Sequence, residues 1–134
     1  MEFLSNSNSE KEPVFIEGDN GFDLEVVGES DYQGHLKSIC GGNLKQGSLK
    51  RAIAELHYED KNPRDSEAIR VDVSGKTVGY LPIEEARLYR KKIENTGYDE
   101  ITVSCNAIIF GEKKVGFFRN TAIGVWLDLP IEKL

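Results

Sequence analysis

The stretch Ala68-Ile69-Arg70-Val71-Asp72-Val73-Ser74-Gly75-Lys76-Thr77-Val78-Gly79-Tyr80-Leu81 constrains this chain more than any other. Two β-rich runs are separated by only two residues, Ser74-Gly75. A two-residue connection of that type makes its flanking strands antiparallel neighbours in a hairpin. Pro82 follows at once and opens a helix expected from about Ile83 to Asn95, with Gly97 as its stop. A hairpin feeding a helix implies a sheet with helices packed on it.

The other elements fit the same plan. Phe22 to Gly28 begins with the alternation of a half-buried strand. Ser30 and Gln33 have capping-box spacing. Tyr32, Leu36 and Ile39 then share one helical face, and Gly41-Gly42 supplies a left-handed stop, so a short helix is expected over 31–40. Leu49–Glu59, Ile101–Phe110 and Ala122–Leu129 read as strands. The piece GEKKVGFFRNT between the last two is either a long hairpin loop or a short extra strand. The expected class is mainly β with two helices, a small curled sheet or partly open OB-like barrel whose helices plug its ends.

The 134 residues favour one domain, and 39% hydrophobic residues suffice for one modest core. The net charge of −6 is uneven. Residues 1–20 hold five acids against one base, and the rest of the chain is near balance. Residues 1–20 are expected to be a disordered or loosely attached acidic tail, and residues 21–134 the domain. The domain lacks the strongly basic footprint of a typical duplex-DNA binder. No apolar run is long enough for a membrane span, so no membrane partner is expected. No secretory signal is visible, and Cys40 and Cys105 read as reduced thiols of a cytoplasmic protein.

The turn Asn62-Pro63-Arg64-Asp65 carries more polar chemistry than a turn needs. Pro63 suits the second turn position, and Asn62 and Asp65 can bond nearby backbone amides. Those three residues either build the turn or line a pocket. Arg64 is surplus to a turn. On the expected helix, Arg87, Arg90 and Lys91 form a basic flank, with Glu84 and Glu94 in reach for helical ion pairs. That flank is either a solvated salt-bridged face or a phosphate rail. Lys113, Lys114 and Arg119 bracket Phe117-Phe118, an interleaving that single-strand binders use and that ordinary hairpins share.

His35, His57, Cys40 and Cys105 match no zinc-module spacing, and no cofactor is expected. No nucleophile elbow, Walker loop or H-E-x-x-H is present, so no enzymatic activity is expected. Glu84-Glu85 at a helix start is accounted for by the helix dipole.

Taken in order, several motifs resemble the HIRAN family. They are Val26-Val27-Gly28-Glu29-Ser30-x-Tyr32-Gln33, Gly41-Gly42, Asn62-Pro63-x-Asp65-x-x-Ala68-Ile69-x-Val71, Gly75-x-x-Val78-Gly79-Tyr80-Leu81, Ala86 and Tyr89-Arg90. The closing Gly124-Val125-Trp126-Leu127-Asp128-Leu129 resembles the end of free-standing bacterial members. The resemblance runs from about residue 22 to 129. It implies a six-stranded OB-like barrel with two helices. It also implies a non-catalytic module that binds single-stranded DNA and captures its 3′-hydroxyl end, with DNA repair or processing as the associated setting.

Carried over residue by residue, the resemblance places Asn62 and Asp65 at the terminal sugar. Tyr32, Tyr80 and Arg64 would stack on bases, and Arg87, Arg90 or Lys91 would meet phosphates. Three positions depart from the family pattern. Asp31 stands where a first aromatic would be, Arg64 replaces an aromatic, and Ser30 replaces a basic residue. The alternative is a protein-interaction or regulatory module that keeps the fold without the DNA site. The near-neutral domain and acidic tail favour that second reading.

Overall fold

A computed structural model of the chain describes residues 12–42, 47–97, 100–115 and 120–134, and over 112–115 and 120–122 it describes the backbone alone. The strands are β1 (Val14–Ile16), β2 (Leu24–Glu25), β3 (Leu49–Glu59), β4 (Ala68–Val73), β5 (Lys76–Tyr80), β6 (Val103–Val115) and β7 (Asn120–Leu127). Helix α1 spans Gln33–Ile39 and α2 spans Ile83–Asn95. Single 3-10 turns cover Glu29–Tyr32 and Ile131–Lys133.

Six strands form one curled antiparallel sheet in the order β2-β7-β6-β3-β4-β5. The sheet returns on itself at a narrow seam. Val26 N–H donates to Val125 O on β7 at 3.0 Å, and Val27 exchanges two 2.9 Å hydrogen bonds with Tyr80 on β5. Two consecutive residues just after β2 thus join β7 to β5. Gly79 makes the seam possible, because a Cβ there would lie 2.6 Å from Val27 O and collide with Val26 Cγ1. Its φ of 155° also suits glycine.

The interior follows the two-residue period of strands. Ala54 and Leu56 of β3, Ile69, Val71 and Val73 of β4, Val78 of β5, and Val103, Cys105, Ala107 and Ile109 of β6 point inward and are buried. Val125 and Leu127 of β7 complete the lining. Full burial of each large aliphatic side chain contributes roughly 1.5–3 kcal/mol. Helix α2 turns Ala86, Tyr89 and Ile93 onto this core, an apolar stripe at i, i+3 and i+7. It packs on β4 and the C-terminal 3-10 turn, whereas α1 packs against β5 and β7.

Ser74 (φ 53°) and Gly75 (φ 77°) form the two-residue hairpin turn with both residues left-handed, as a twist-matched connection requires. β3, β4 and α2 have the expected bounds. Other elements differ from expectation. The strand expected over 22–28 is only Leu24–Glu25, because the chain changes partner from β7 to β5 within two residues and Gly28 is left-handed. The helix expected over 31–40 is a 3-10 turn followed by α1, and no capping-box hydrogen bond forms at its start. Instead the Gln33 amide bonds to β7. Its Nε2 donates to Ile123 O at 3.0 Å, and Ile123 N–H donates to its Oε1 at 2.8 Å. A side-chain amide both donates and accepts, so it satisfies a backbone edge as another strand would.

Val14–Ile16, within the stretch expected to be tail, pairs in parallel with Val103–Cys105 of β6. Residues 18–20 are likewise held on the domain, with Asn20 N–H donating to Asp128 Oδ2 at 3.0 Å. Residues 1–11 lie outside the described residues. β6 and β7 are extended toward each other, to Val115 and from Asn120, so the ends of GEKKVGFFRNT are strand. Phe117, Phe118 and Arg119 lie outside the described residues, as do the side chains of Lys113 and Lys114. No helix among the described residues is long and apolar enough to cross a membrane.

Candidate nucleic-acid interface

A cleft of about 430 Å³ opens beside the seam. Val27, Gly28, Asp31 and Tyr32 line one side, and Asn62, Pro63, Arg64 and Asp65 line the other. Tyr80, Leu81 and Ile83 complete it where the hairpin passes into α2. The volume lies in the range of small-ligand sites. The seam places Tyr80 beside the segment that carries Tyr32, while the β3–β4 turn brings Asn62 to Asp65 to the same rim.

The turn is held by its own side chains. Asn62 Oδ1 accepts from Arg64 N–H at 2.8 Å and Asp65 N–H at 3.1 Å. Its Nδ2 donates to Glu59 Oε1 at 2.8 Å. Asn62 therefore spends most of its hydrogen-bonding capacity on shape. Asp65 Oδ1 accepts from Glu67 N–H at 3.0 Å and from Arg87 Nη2 at 3.2 Å. Among the described residues Oδ2 has only a 3.5 Å contact with Arg87 Nη1, and it retains accepting capacity. The Arg64 guanidinium makes no ion pair among the described residues.

Two residues that sequence reasoning missed stiffen the cleft from behind. Glu59 Oε1 accepts from the Tyr80 hydroxyl at 2.7 Å as well as from Asn62, and Glu59 Oε2 pairs with Arg70 Nη1 at 3.2 Å. Arg70 also grips Asp72 through Nε at 3.0 Å and Nη2 at 3.1 Å. Burial alone would push the Glu59 carboxyl up, but hydrogen bonds from Tyr80, Asn62 and Arg70 outweigh it and hold the group below its ordinary value. Burial, followed by the bond to Glu59, pushes the Tyr80 phenol well above its ordinary value, so it remains a neutral donor. The available signal was charge at alternate positions, Glu55-His57-Glu59 facing Arg70-Asp72 across the ladder.

Of the eight residues singled out, Tyr32, Asn62, Arg64, Asp65 and Tyr80 meet in this cleft. Arg87 reaches its edge through Asp65. Arg90 and Lys91 line a neighbouring groove with Tyr58, Glu67 and Glu94. Arg90 is committed to structure there. It donates to Glu67 O at 2.7 Å and Ala68 O at 2.8 Å, pairs with Asp60 at 2.9 Å, and lies 4.5 Å from the Tyr58 ring centroid. The ion pairs of this flank, among the described residues, reach to Asp60, Asp65 and Glu67 rather than along the helix to Glu84 or Glu94.

The zinc inventory is dispersed. His35 Nδ1 donates to Thr77 O at 2.7 Å, His57 sits by Glu55 and Asp72, and Cys105 is buried on β6. No three His, Cys, Asp or Glu side chains among the described residues are grouped to hold a metal ion.

Fold and site together define a small antiparallel barrel with a two-tyrosine cleft beside its seam. No family model matches the chain, and no curated protein matches it either. Among solved structures, the crystal structure of the HIRAN domain of human HLTF is similar, at 18% sequence identity over 82% of this chain and 78% of that one, with a TM-score of 0.39.

Proposed function

We propose that this chain is a non-catalytic nucleic-acid-binding module that takes the 3′-hydroxyl end of a DNA single strand into the cleft. The observation that carries this reading is one cleft holding two tyrosines, a carboxylate with a spare acceptor and a guanidinium that makes no ion pair among the described residues. Tyrosine faces accept stacked bases of any sequence. Asp65 Oδ2 accepts a hydrogen bond from a terminal hydroxyl and repels a terminal phosphate. Arg64 stacks on a base or pairs with a phosphate, and Lys91 extends the path along α2. Handling of free 3′ ends in DNA repair or processing is the setting this chemistry suits.

Fluorescence anisotropy with a labelled single strand tests the reading, comparing a 3′-hydroxyl with a 3′-phosphate over a salt series. Two phosphate contacts give a slope of log K against log salt of about −1.4. Equal affinity for the two ends removes Asp65 as the selector. Absence of salt-sensitive binding favours the alternative, a protein-interaction module, for which Ile83, 62% exposed at the cleft edge, would be an apolar contact.

A further inference from the structure

The side of an antiparallel sheet that faces away from the core usually carries polar side chains. Part of that side is apolar here. On β3 the residues that alternate with buried Ala54 and its inward neighbours, Arg51, Ile53 and Glu55, face outward, and Ile53 is 50% exposed. The strand register continues two rows across the sheet. Arg51 stands opposite Ile108 of β6, and Ile108 stands opposite Trp126 of β7. Glu55 stands opposite Ser104 of β6, and Ser104 stands opposite Phe15 of β1, which is 49% exposed. Between the two rows Ile53 stands opposite Asn106. Residues opposite one another on paired strands share one side of the sheet.

The two rows complement each other. One offers a guanidinium and an indole, the other a carboxylate and a phenyl ring. They lie four residues apart on β3, about 13 Å, too far for Arg51 and Glu55 of one chain to meet. Arg51 makes no ion pair among the described residues, and its guanidinium lies 5.8 Å from the Phe22 ring centroid. Glu55 meets His57 through Oε1 at 3.1 Å, and its Oε2 makes no ion pair among the described residues. A two-fold axis crossing the strands at Ile53 and Asn106 would lay β3 antiparallel over a second copy. Each row then faces the other row of that copy. Arg51 meets Glu55, Trp126 meets Phe15, and Ile53 and Asn106 each meet their own copy, as a two-fold interface requires. None of these residues lines the cleft beside the seam.

We propose that this face joins two copies of the chain in a two-fold dimer, sheet on sheet about Ile53 and Asn106, with reciprocal Arg51–Glu55 ion pairs. Sedimentation velocity of the full chain from about 5 μM to about 0.5 mM tests it. The expected result is a reversible dimer that weakens with salt. Arg51→Glu or Glu55→Arg sets like charges face to face twice, and each should weaken the dimer roughly tenfold or more. Both positions are at the surface, so the melting temperature of the dilute protein should stay unchanged. Arg51→Glu with Glu55→Arg exchanges the charges and should restore the dissociation constant to within about threefold. An equal mixture of the two single variants should form a heterodimer, because each then faces the opposite charge. A face built for a different protein gives no such rescue. A monomer throughout the series, a dimer indifferent to the single reversals, or a double variant no better than either single variant would each overturn the proposal.

Discussion

The guanidinium of Arg87 on α2 holds the carboxylate of Asp65 on the β3–β4 turn, with Nη2 3.2 Å from Oδ1 and Nη1 3.5 Å from Oδ2. The same guanidinium reaches Glu67 Oε1 through Nε at 2.9 Å. Arg87 is about half exposed, so these pairs contribute at most about 1 kcal/mol to stability. Their consequence is positional, since they aim Asp65 at the cleft and partly neutralise it. Asp65→Ala should cut the preference for a 3′-hydroxyl over a 3′-phosphate roughly tenfold. Arg87→Ala should reduce the same preference while hardly moving the melting temperature. Anisotropy with the two strands, beside thermal melts, separates these effects.

Glu59 should govern acid stability. Its carboxyl is held below the ordinary 4.5 in the folded chain. Its contribution is therefore complete above pH 4.5 and lost as pH falls through the lower folded value. Glu59→Gln should cost about 1.5 kcal/mol at neutral pH and flatten the decline below the ordinary value. Tyr80→Phe should cost about 1 kcal/mol with a smaller change in slope. Urea denaturation at several acidic pH values measures both. An unchanged acid limb in Glu59→Gln would show that other carboxylates set it.

Gly79→Ala should open the seam. The added Cβ meets Val27 O at 2.6 Å, where the barrel closes, and no flexible side-chain end can yield. A loss of about 3 kcal/mol is expected, with faster amide exchange at Val27 and Tyr80. Gly75→Ala is the control. It also has positive φ but nothing within 4 Å, so only the backbone preference of about 1 kcal/mol is lost.

The two thiols should react very differently. Burial, helped by the charge of Asp128, pushes Cys105 up to about 12. Cys40 is partly exposed, and burial raises it while Lys50 opposes the shift. A disulfide reagent at mildly alkaline pH should label Cys40 in the native protein and Cys105 only upon unfolding. Native-state labelling of Cys105 at the rate of Cys40 would contradict the packing around β6.

What the sequence determined by itself was local. The Ser74-Gly75 turn, the bounds of β3, β4 and α2, and the polar turn at Asn62–Asp65 follow from short-range rules, because φ preferences, helix stops and side-chain bonds to nearby amides act over a few residues. Tertiary structure decided which of those pieces meet. Gln33 has capping-box spacing from Ser30 yet bonds Ile123, since β7 offers it both a donor and an acceptor. Glu59 looks like an ordinary strand end, but folding brings Tyr80, Asn62 and Arg70 around it. Arg90 reads as a surface cation, but Glu67 and Ala68, at the start of β4, turn their backbone oxygens toward it. Val14–Ile16 lies in a stretch whose composition reads as tail, yet it finds an open edge on β6. In each case a polar group takes the partner that burial brings to it, and burial is set by strand neighbours far away in sequence.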